Sequence, residues 1–508
     1  MYSENHLACA LRAASIGRDE AQLLVNHQTG ETQSYGAFFA NAERMAAALV
    51  AAGIEPGDRI AVQVPKTVAV LELYVGAVLA GAVFLPLNTG YTASEVAYFL
   101  QDAGPKLLVC DPVNLAKLTP VAQQAGVSEI WTIAADETGT LADQRNAQEP
   151  GFHPVARMAD DLAAILYTSG TTGRSKGAML THRALASNSQ VLKDYWHFTR
   201  DDVLIHALPI FHTHGLFVAT NVTMMAGGAM IFLPSFDAET VRDYMGQATA
   251  LMGVPTFYVR LLQTDGLSDA ARGMRLFVSG SAPLLAETHD QWRAQTGHAI
   301  LERYGMTETN MNTSNPYVGA RRAGTVGFPL PGVELKVCDP KTGVELAQGE
   351  IGVLEVRGDN VFAGYWKMPE KTAAELRDDG FFITGDLGLV DDQGYVQIVG
   401  RDKDLIITGG YNVYPKEVEL LIDDLPGVNE SAVIAVPDPD FGEAVAAIIV
   451  PQNGVVLKPE NIADALREKL ARFKQPRHIV IIEELPRNTM GKVQKNALRK
   501  TYKALGNN

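Results

Sequence analysis

Eleven residues, Tyr167-Thr-Ser-Gly-Thr-Thr-Gly-Arg-Ser-Lys-Gly177, hold three glycines, five Ser/Thr hydroxyls and two cations. Glycine lets backbone N–H groups turn toward an anion, Ser and Thr donate to phosphate oxygens, and Arg174 and Lys176 add charge. That chemistry suits a polyphosphate. A Walker A loop is excluded, because Ser175 stands where that pattern needs its second glycine after Gly170. A solvated Gly/Ser/Thr loop without a ligand has the same composition. The stretch alone leaves both readings open.

Six further runs follow: Leu208-Pro-Ile-Phe-His-Thr-His-Gly215, Ser279-Gly-Ser-Ala-Pro-Leu284, Arg303-Tyr-Gly-Met-Thr-Glu308, Ile383-Thr-Gly-Asp-Leu387, Gly400-Arg-Asp-Lys-Asp404 and Pro486-Arg-Asn-Thr-Met-Gly-Lys492. Any one of them is weak; all seven in register are specific. In this order, from about Thr32 to the C-terminus, the chain resembles the adenylate-forming superfamily, which includes acyl-CoA synthetases, luciferases and peptide-synthetase adenylation domains. The resemblance implies an α/β fold, with parallel and mixed sheets covered by helices in a large N-terminal domain (residues 1–402) and a small mobile α+β C-terminal domain (403–508). It implies an AMP-forming acid–thiol ligase that uses ATP and coenzyme A as cosubstrates and Mg2+ as its metal.

The site residues follow from the same resemblance, motif by motif. Thr168, Ser169, Gly170, Thr171, Thr172 and Lys176 would hold the β- and γ-phosphates. Glu308 would ligate Mg2+, a hard cation that takes oxygen ligands. Tyr304 would stack on adenine, with Gly280, Ser281 and Ala282 lining the pocket and Glu302 and Thr307 completing the nucleotide site. Asp386 would accept the ribose hydroxyls and Arg401 would support ribose or phosphate. Lys492 would bridge the acid's carboxylate and the α-phosphate as negative charge accumulates there. Lys403 would be the hinge for a rotation that withdraws Lys492 and brings Gly409 and Gly410 to the coenzyme A channel.

Arg303 narrows the acid. A planar guanidinium on the wall of an acyl pocket matches a carboxylate, and a monocarboxylic substrate would leave it unpaired. The run Glu302-Arg-Tyr-Gly-Met-Thr-Glu308 and Phe211-His-Thr-His-Gly215 are most similar to malonyl-CoA synthetases. The expected substrate is malonate, and methylmalonate is not excluded; Met306 is the residue to test for that. His212 takes the acyl-site histidine position, with Ser281 as a donor to the distal carboxylate. The alternatives are a salt bridge that occupies Arg303 structurally, and a synthetase for a monocarboxylic short-chain or aryl acid.

These residues need a scaffold, and 508 residues, 47% hydrophobic, exceed one core. Strands at Asp58–Val64, Lys106–Cys110, Glu129–Ile133 and Leu162–Leu166 alternate with helical patterns such as Ala37–Gly53, as parallel sheets require. Val68–Leu87 is apolar, but Glu72 and its glycines divide it into a buried helix and a strand. No membrane span is expected. Ala134–Ala159 reads as an irregular surface excursion. After Arg401, strands at Leu405–Thr408, Ser431–Val436, Val445–Val450 and His478–Ile482 mix with helices at Pro415–Asp424, Pro459–Ala471 and Val493–Leu505.

The net charge of −15 conceals a basic tail, with twelve Lys/Arg against five Asp/Glu from Gly454 onward. An acidic body argues against nucleic-acid binding. Three scattered cysteines and no basic leader before an apolar run suit a cytoplasmic enzyme. Oligomeric state is not legible.

Overall fold

The computed structural model describes residues 2–27, 30–168, 175–408, 411–438, 441–467, 469–488 and 491–507, with the side chains of 411–412 and 506–507 excepted. Packing divides the chain into two compact units, Met1–Glu334 with Val356–Phe382, and Leu335–Glu355 with Ile383–Asn508.

Among the described residues, the first unit holds two large sheets. One runs Glu129–Thr132, Leu107–Cys110, Arg59–Gln63, Val83–Pro86, Leu162–Thr168, Lys176–Thr181; every pair is parallel except the last. The other is parallel across its centre, where Leu276–Ser279 lies beside Leu301–Met306, and antiparallel at its rims. Strands this apolar are buried on both faces, so helices must cover them.

The expected break inside Val68–Leu87 is present. Val68–Ala80 is a helix buried from Ala69 to Ala80, and Gly81 ends it at φ 73°. Its Glu72 accepts from Gln33, Asn41 and Arg145, each at 2.7 Å. Burial raises the Glu72 carboxyl pKa and the Arg145 charge opposes that shift. Arg145 lies on a helix, Thr140–Asn146, within the stretch expected to be irregular. That expectation is corrected: a short helix there buries Leu141 and Ala142 and carries the arginine that pairs with Glu72 inside the core. No described helix is long and apolar enough to cross a membrane.

The second unit holds most of a four-stranded sheet (Glu334–Cys338, Gly352–Arg357, Phe382–Val390, Val396–Arg401) and a sheet built on the long hairpin Val428–Asp438 and Gly442–Pro451. The packing boundary therefore differs from the expected division at 402/403. Asp386 pairs directly with Arg401 across antiparallel strands, so both candidate ribose residues belong to this unit. A hinge needs only a backbone torsion to change, and its position need not coincide with a packing boundary.

Candidate functional site

Leu162–Thr168 and Lys176–Thr181 pair as a hairpin, with Thr168 opposite Lys176 at its mouth. Ser169, Gly170, Thr171 and Thr172 lie outside the described residues. A cleft opens beside Leu166, at the carboxyl ends of Val83–Pro86 and Leu162–Thr168, and is lined by Asn88, Tyr91, Phe211, His212 and Thr307. Carboxyl ends of parallel strands are where such sheets bind ligands.

Glu308 occupies the turn between Leu301–Met306 and Asn310–Ser314. The turn is tight. A Cβ on Gly305 would lie 1.9 Å from the Asn310 carbonyl oxygen, and Asn310 itself adopts φ 50°. The Glu308 carboxylate is buried, not at the surface. The Tyr365 hydroxyl lies 3.0 Å from Glu308 Oε1 and 2.7 Å from Glu375 Oε2. Lys176 Nζ donates to the same Glu375 oxygen at 3.2 Å and stands 4.0 Å from the Tyr365 ring centroid. The sequence reading missed Tyr365 and Glu375. Both are close to Lys176 only in space, and a Gly-Tyr-Trp run was their sole local signal.

Arg303 is 3% exposed, so the alternative of a surface ion pair fails. Among the described residues no carboxylate pairs with it, and its Nε and Nη2 are buried without a hydrogen-bond partner. A Cβ built on Gly280 would fall 2.4 Å from its Cζ, so the guanidinium lies against the bare backbone of Gly280. Burial lowers its pKa to about 9.

Other orphaned donors belong to the same segments. His214 Nε2, Ser279 Oγ and Thr213 Oγ1 are buried with no partner. Ser281, at φ 70°, places its Oγ 3.3 Å from His214 Nδ1. Ala282 follows it in the same turn. Burial, then the Arg303 charge, push the His214 pKa well down, and burial alone takes half-buried His212 to about 4. Both imidazoles are neutral at pH 7. A buried polar group without a partner calls for an explanation, and at least His214 feels the Arg303 charge.

Glu302 turns away from Arg303, as strand alternation requires, and its carboxylate lies 3.6 Å from His289 Nδ1. A nucleotide contact by Glu302 would fall to its backbone. Tyr304 is half-buried on the same strand, opposite Thr313.

In the second unit, Arg401 Nε donates to Asp386 Oδ1 at 2.8 Å. Lys492 is exposed overall, yet its ammonium is crowded: burial there, then the Arg401 charge, lower its pKa below the usual value. Lys403 is exposed in a single 3-10 turn, Asp402–Asp404. Gly409 and Gly410 lie outside the described residues.

With this geometry described, two family models match the chain. The AMP-binding enzyme profile matches residues 12–366 and the AMP-binding enzyme C-terminal domain profile matches 417–492. The chain belongs to the AMP-binding enzyme family, and it is an AMP-forming acid–CoA ligase.

Individual relatives differ in their acid. A malonate–CoA ligase of Arabidopsis thaliana is 35% identical over 88% of this chain and 78% of its own. A feruloyl-CoA synthase of an Amycolatopsis species is 34% identical over 93% of this chain and 94% of its own. The crystal structure of ATP-bound MatB from Rhodopseudomonas palustris matches at 56% identity and TM-score 0.97, covering 99% of both chains. Identity near 35% spans very different acids, so the acid has to be argued from the pocket.

Proposed function

We propose that the chain ligates malonate to coenzyme A in two half-reactions. A malonate carboxylate oxygen attacks the α-phosphorus of ATP, the α–β bridge breaks, and malonyl-adenylate and pyrophosphate result. The coenzyme A thiol, losing its proton to solvent, then attacks the acyl carbon and AMP leaves. The first attack needs no general base, because the acid is already ionised; it needs placement and screening of like charges.

One observation carries the choice of acid: Arg303 is a buried cation whose Nε and Nη2 have no partner. A second carboxylate supplies the partner, and a monocarboxylic acid does not. Ser281 and the neutral His212 and His214 support the reading as hydrogen-bond donors that add no charge.

The remaining roles are assigned by motif. Lys176 and Thr168, with Ser169, Gly170, Thr171 and Thr172, are assigned to the β- and γ-phosphates. Gly280, Ser281, Ala282 and Tyr304 line the adenine side, with Glu302 and Thr307 beside them. Asp386 and Arg401 hold the ribose, Lys492 meets the α-phosphate and near carboxylate, Lys403 is the pivot, and Gly409 and Gly410 border the thiol's path. Glu308 offers one buried carboxylate, and Mg2+ is commonly held by one or two carboxylates together with substrate phosphates, so the donor chemistry fits. When bound there, Mg2+ would screen the phosphate oxygens. A cytoplasmic setting suits three cysteines as scattered along the chain as Cys9, Cys110 and Cys338.

The test is AMP release that depends on both malonate and coenzyme A, run beside acetate, propionate, methylmalonate and an aryl acid. Malonate should be the best of the panel by kcat/KM. Faster turnover of a monocarboxylic acid would transfer the assignment to the runner-up.

A further inference from the structure

The Tyr365 hydroxyl sits between two carboxylates, 3.0 Å from Glu308 Oε1 and 2.7 Å from Glu375 Oε2. A phenol has one proton, so it cannot make both of these hydrogen bonds fully at once. The shorter contact favours Glu375. Glu375 is otherwise well supplied: Lys371 reaches its Oε1 at 2.6 Å and Lys176 reaches its Oε2 at 3.2 Å. Burial alone would raise the Glu375 carboxyl; donation from Lys371 and Tyr365 and the Lys176 charge outweigh it and keep the group ionised.

Three separate stretches supply the four groups, since Lys176 and Glu375 are separated by 199 positions and Glu308 and Tyr365 by 57, while Tyr365 and Glu375 are 10 apart. They meet only here. Lys176 lies over the Tyr365 ring, which fixes its direction as well as its charge. An ammonium has three donors, and one suffices for Glu375, so the others remain for an anion. The two carboxyl groups compete for one phenolic proton, and a cation held by Glu308 would leave that proton to Glu375.

We propose that Tyr365 and Glu375 are positioning residues, which hold Lys176 and Glu308 ready for the metal-bound polyphosphate of the nucleotide. This rests on the reading of Lys176 and Glu308 as nucleotide-side groups but not on the identity of the acid. Glu375 is the resting counter-ion that keeps the Lys176 ammonium in place before phosphate arrives. Tyr365 links that pair to the carboxylate that takes the metal.

Calorimetric binding of ATP to the full chain, with and without Mg2+, tests this without any acid present. Tyr365→Phe should weaken Mg·ATP binding at least fivefold and shrink the affinity gained from Mg2+. Glu375→Gln should weaken Mg·ATP binding by a similar factor. The double variant should lose clearly less than the product of the two, because they share one hydrogen bond. In malonate-dependent pyrophosphate exchange, KM for ATP should rise while KM for malonate stays within twofold. Thermal midpoints within a few degrees of the parent separate positioning from folding. If Tyr365→Phe fails to fold, half-buried Glu375→Gln decides alone. Mg·ATP affinity within twofold of the parent in the folded variants would overturn the proposal, as would equal rises in both KM values. Unchanged nucleotide effects with no malonate turnover would instead count against the acid assignment.

Discussion

Replacing Arg303 with Met should make the protein more stable and at the same time ruin its use of malonate. Holding a buried arginine at about 9, against an ordinary value above about 12, corresponds to roughly 4 kcal/mol of disfavoured charge. The sign follows from the direction of the shift. A cation whose folded pKa is depressed penalises the folded state while it is charged, so the penalty is complete at pH 7 and is relieved only above about 9. Methionine fills most of the same volume without charge, and replacing buried ionic groups by apolar ones is often stabilising by about 1–4 kcal/mol. The unfolding midpoint should therefore rise by several degrees. With malonate bound, the balance reverses. The distal carboxylate would be buried without its partner, which costs about 3–5 kcal/mol, or roughly 100- to 4,000-fold in kcat/KM at 1.4 kcal/mol per decade. Acetate has no second carboxylate to pair with the guanidinium and should change less than about tenfold. The assays are thermal unfolding of the free enzyme and initial rates of pyrophosphate release with each acid. A variant that is less stable than the parent and keeps its preference for malonate over acetate would refute the reasoning, because Arg303 would then be holding the fold together.

Gly280→Ala puts a methyl where the guanidinium lies, 2.4 Å from Cζ; Arg303 must shift, and kcat/KM for malonate should fall at least tenfold with acetate affected less. Equal losses for both acids would point to general damage. Lys492→Ala should abolish pyrophosphate exchange yet spare thioester formation from supplied malonyl-adenylate, whereas Lys403→Pro should do the reverse; a single defect shared by both half-reactions in either variant contradicts the domain-alternation scheme. His182 is fully buried, accepts from the Leu7 backbone N–H at 3.3 Å, and is lowered by burial to about 4. Its folded pKa lies below the unfolded value, so the stability it contributes is present above about 6.5 and is lost as pH falls toward 4, up to about 3 kcal/mol. The unfolding midpoint should drop across that range, and His182→Gln should flatten the drop; an unchanged slope removes His182 from the account.

The candidate residues could be picked out along the chain because Gly/Ser/Thr-rich runs and turn-forming sequences are local features. The hydroxyl- and glycine-rich run before Lys176 and the polar run before Lys492 are recognisable from neighbouring residues, and the family resemblance set them in order; Thr384-Gly-Asp386, whose sequence suits a turn, lies instead within the strand Phe382–Val390. The buried helix and strand within Val68–Leu87 were readable for the same reason: hydrophobic period and a glycine stop are properties of a segment. Other features were decided only when distant segments packed. The short helix that carries Arg145 in an apparently featureless stretch packs Leu141 and Ala142 inward and meets Glu72, from another helix, as its counter-ion. Glu375 and Tyr365 acquire meaning from Lys176 and Glu308, which the chain alone never places beside them. Arg303 was visible as a residue type, but whether a carboxylate of the protein would neutralise it could not be read in advance. Pairing and burial depend on every element that surrounds a charge, and only the folded chain brings those elements together.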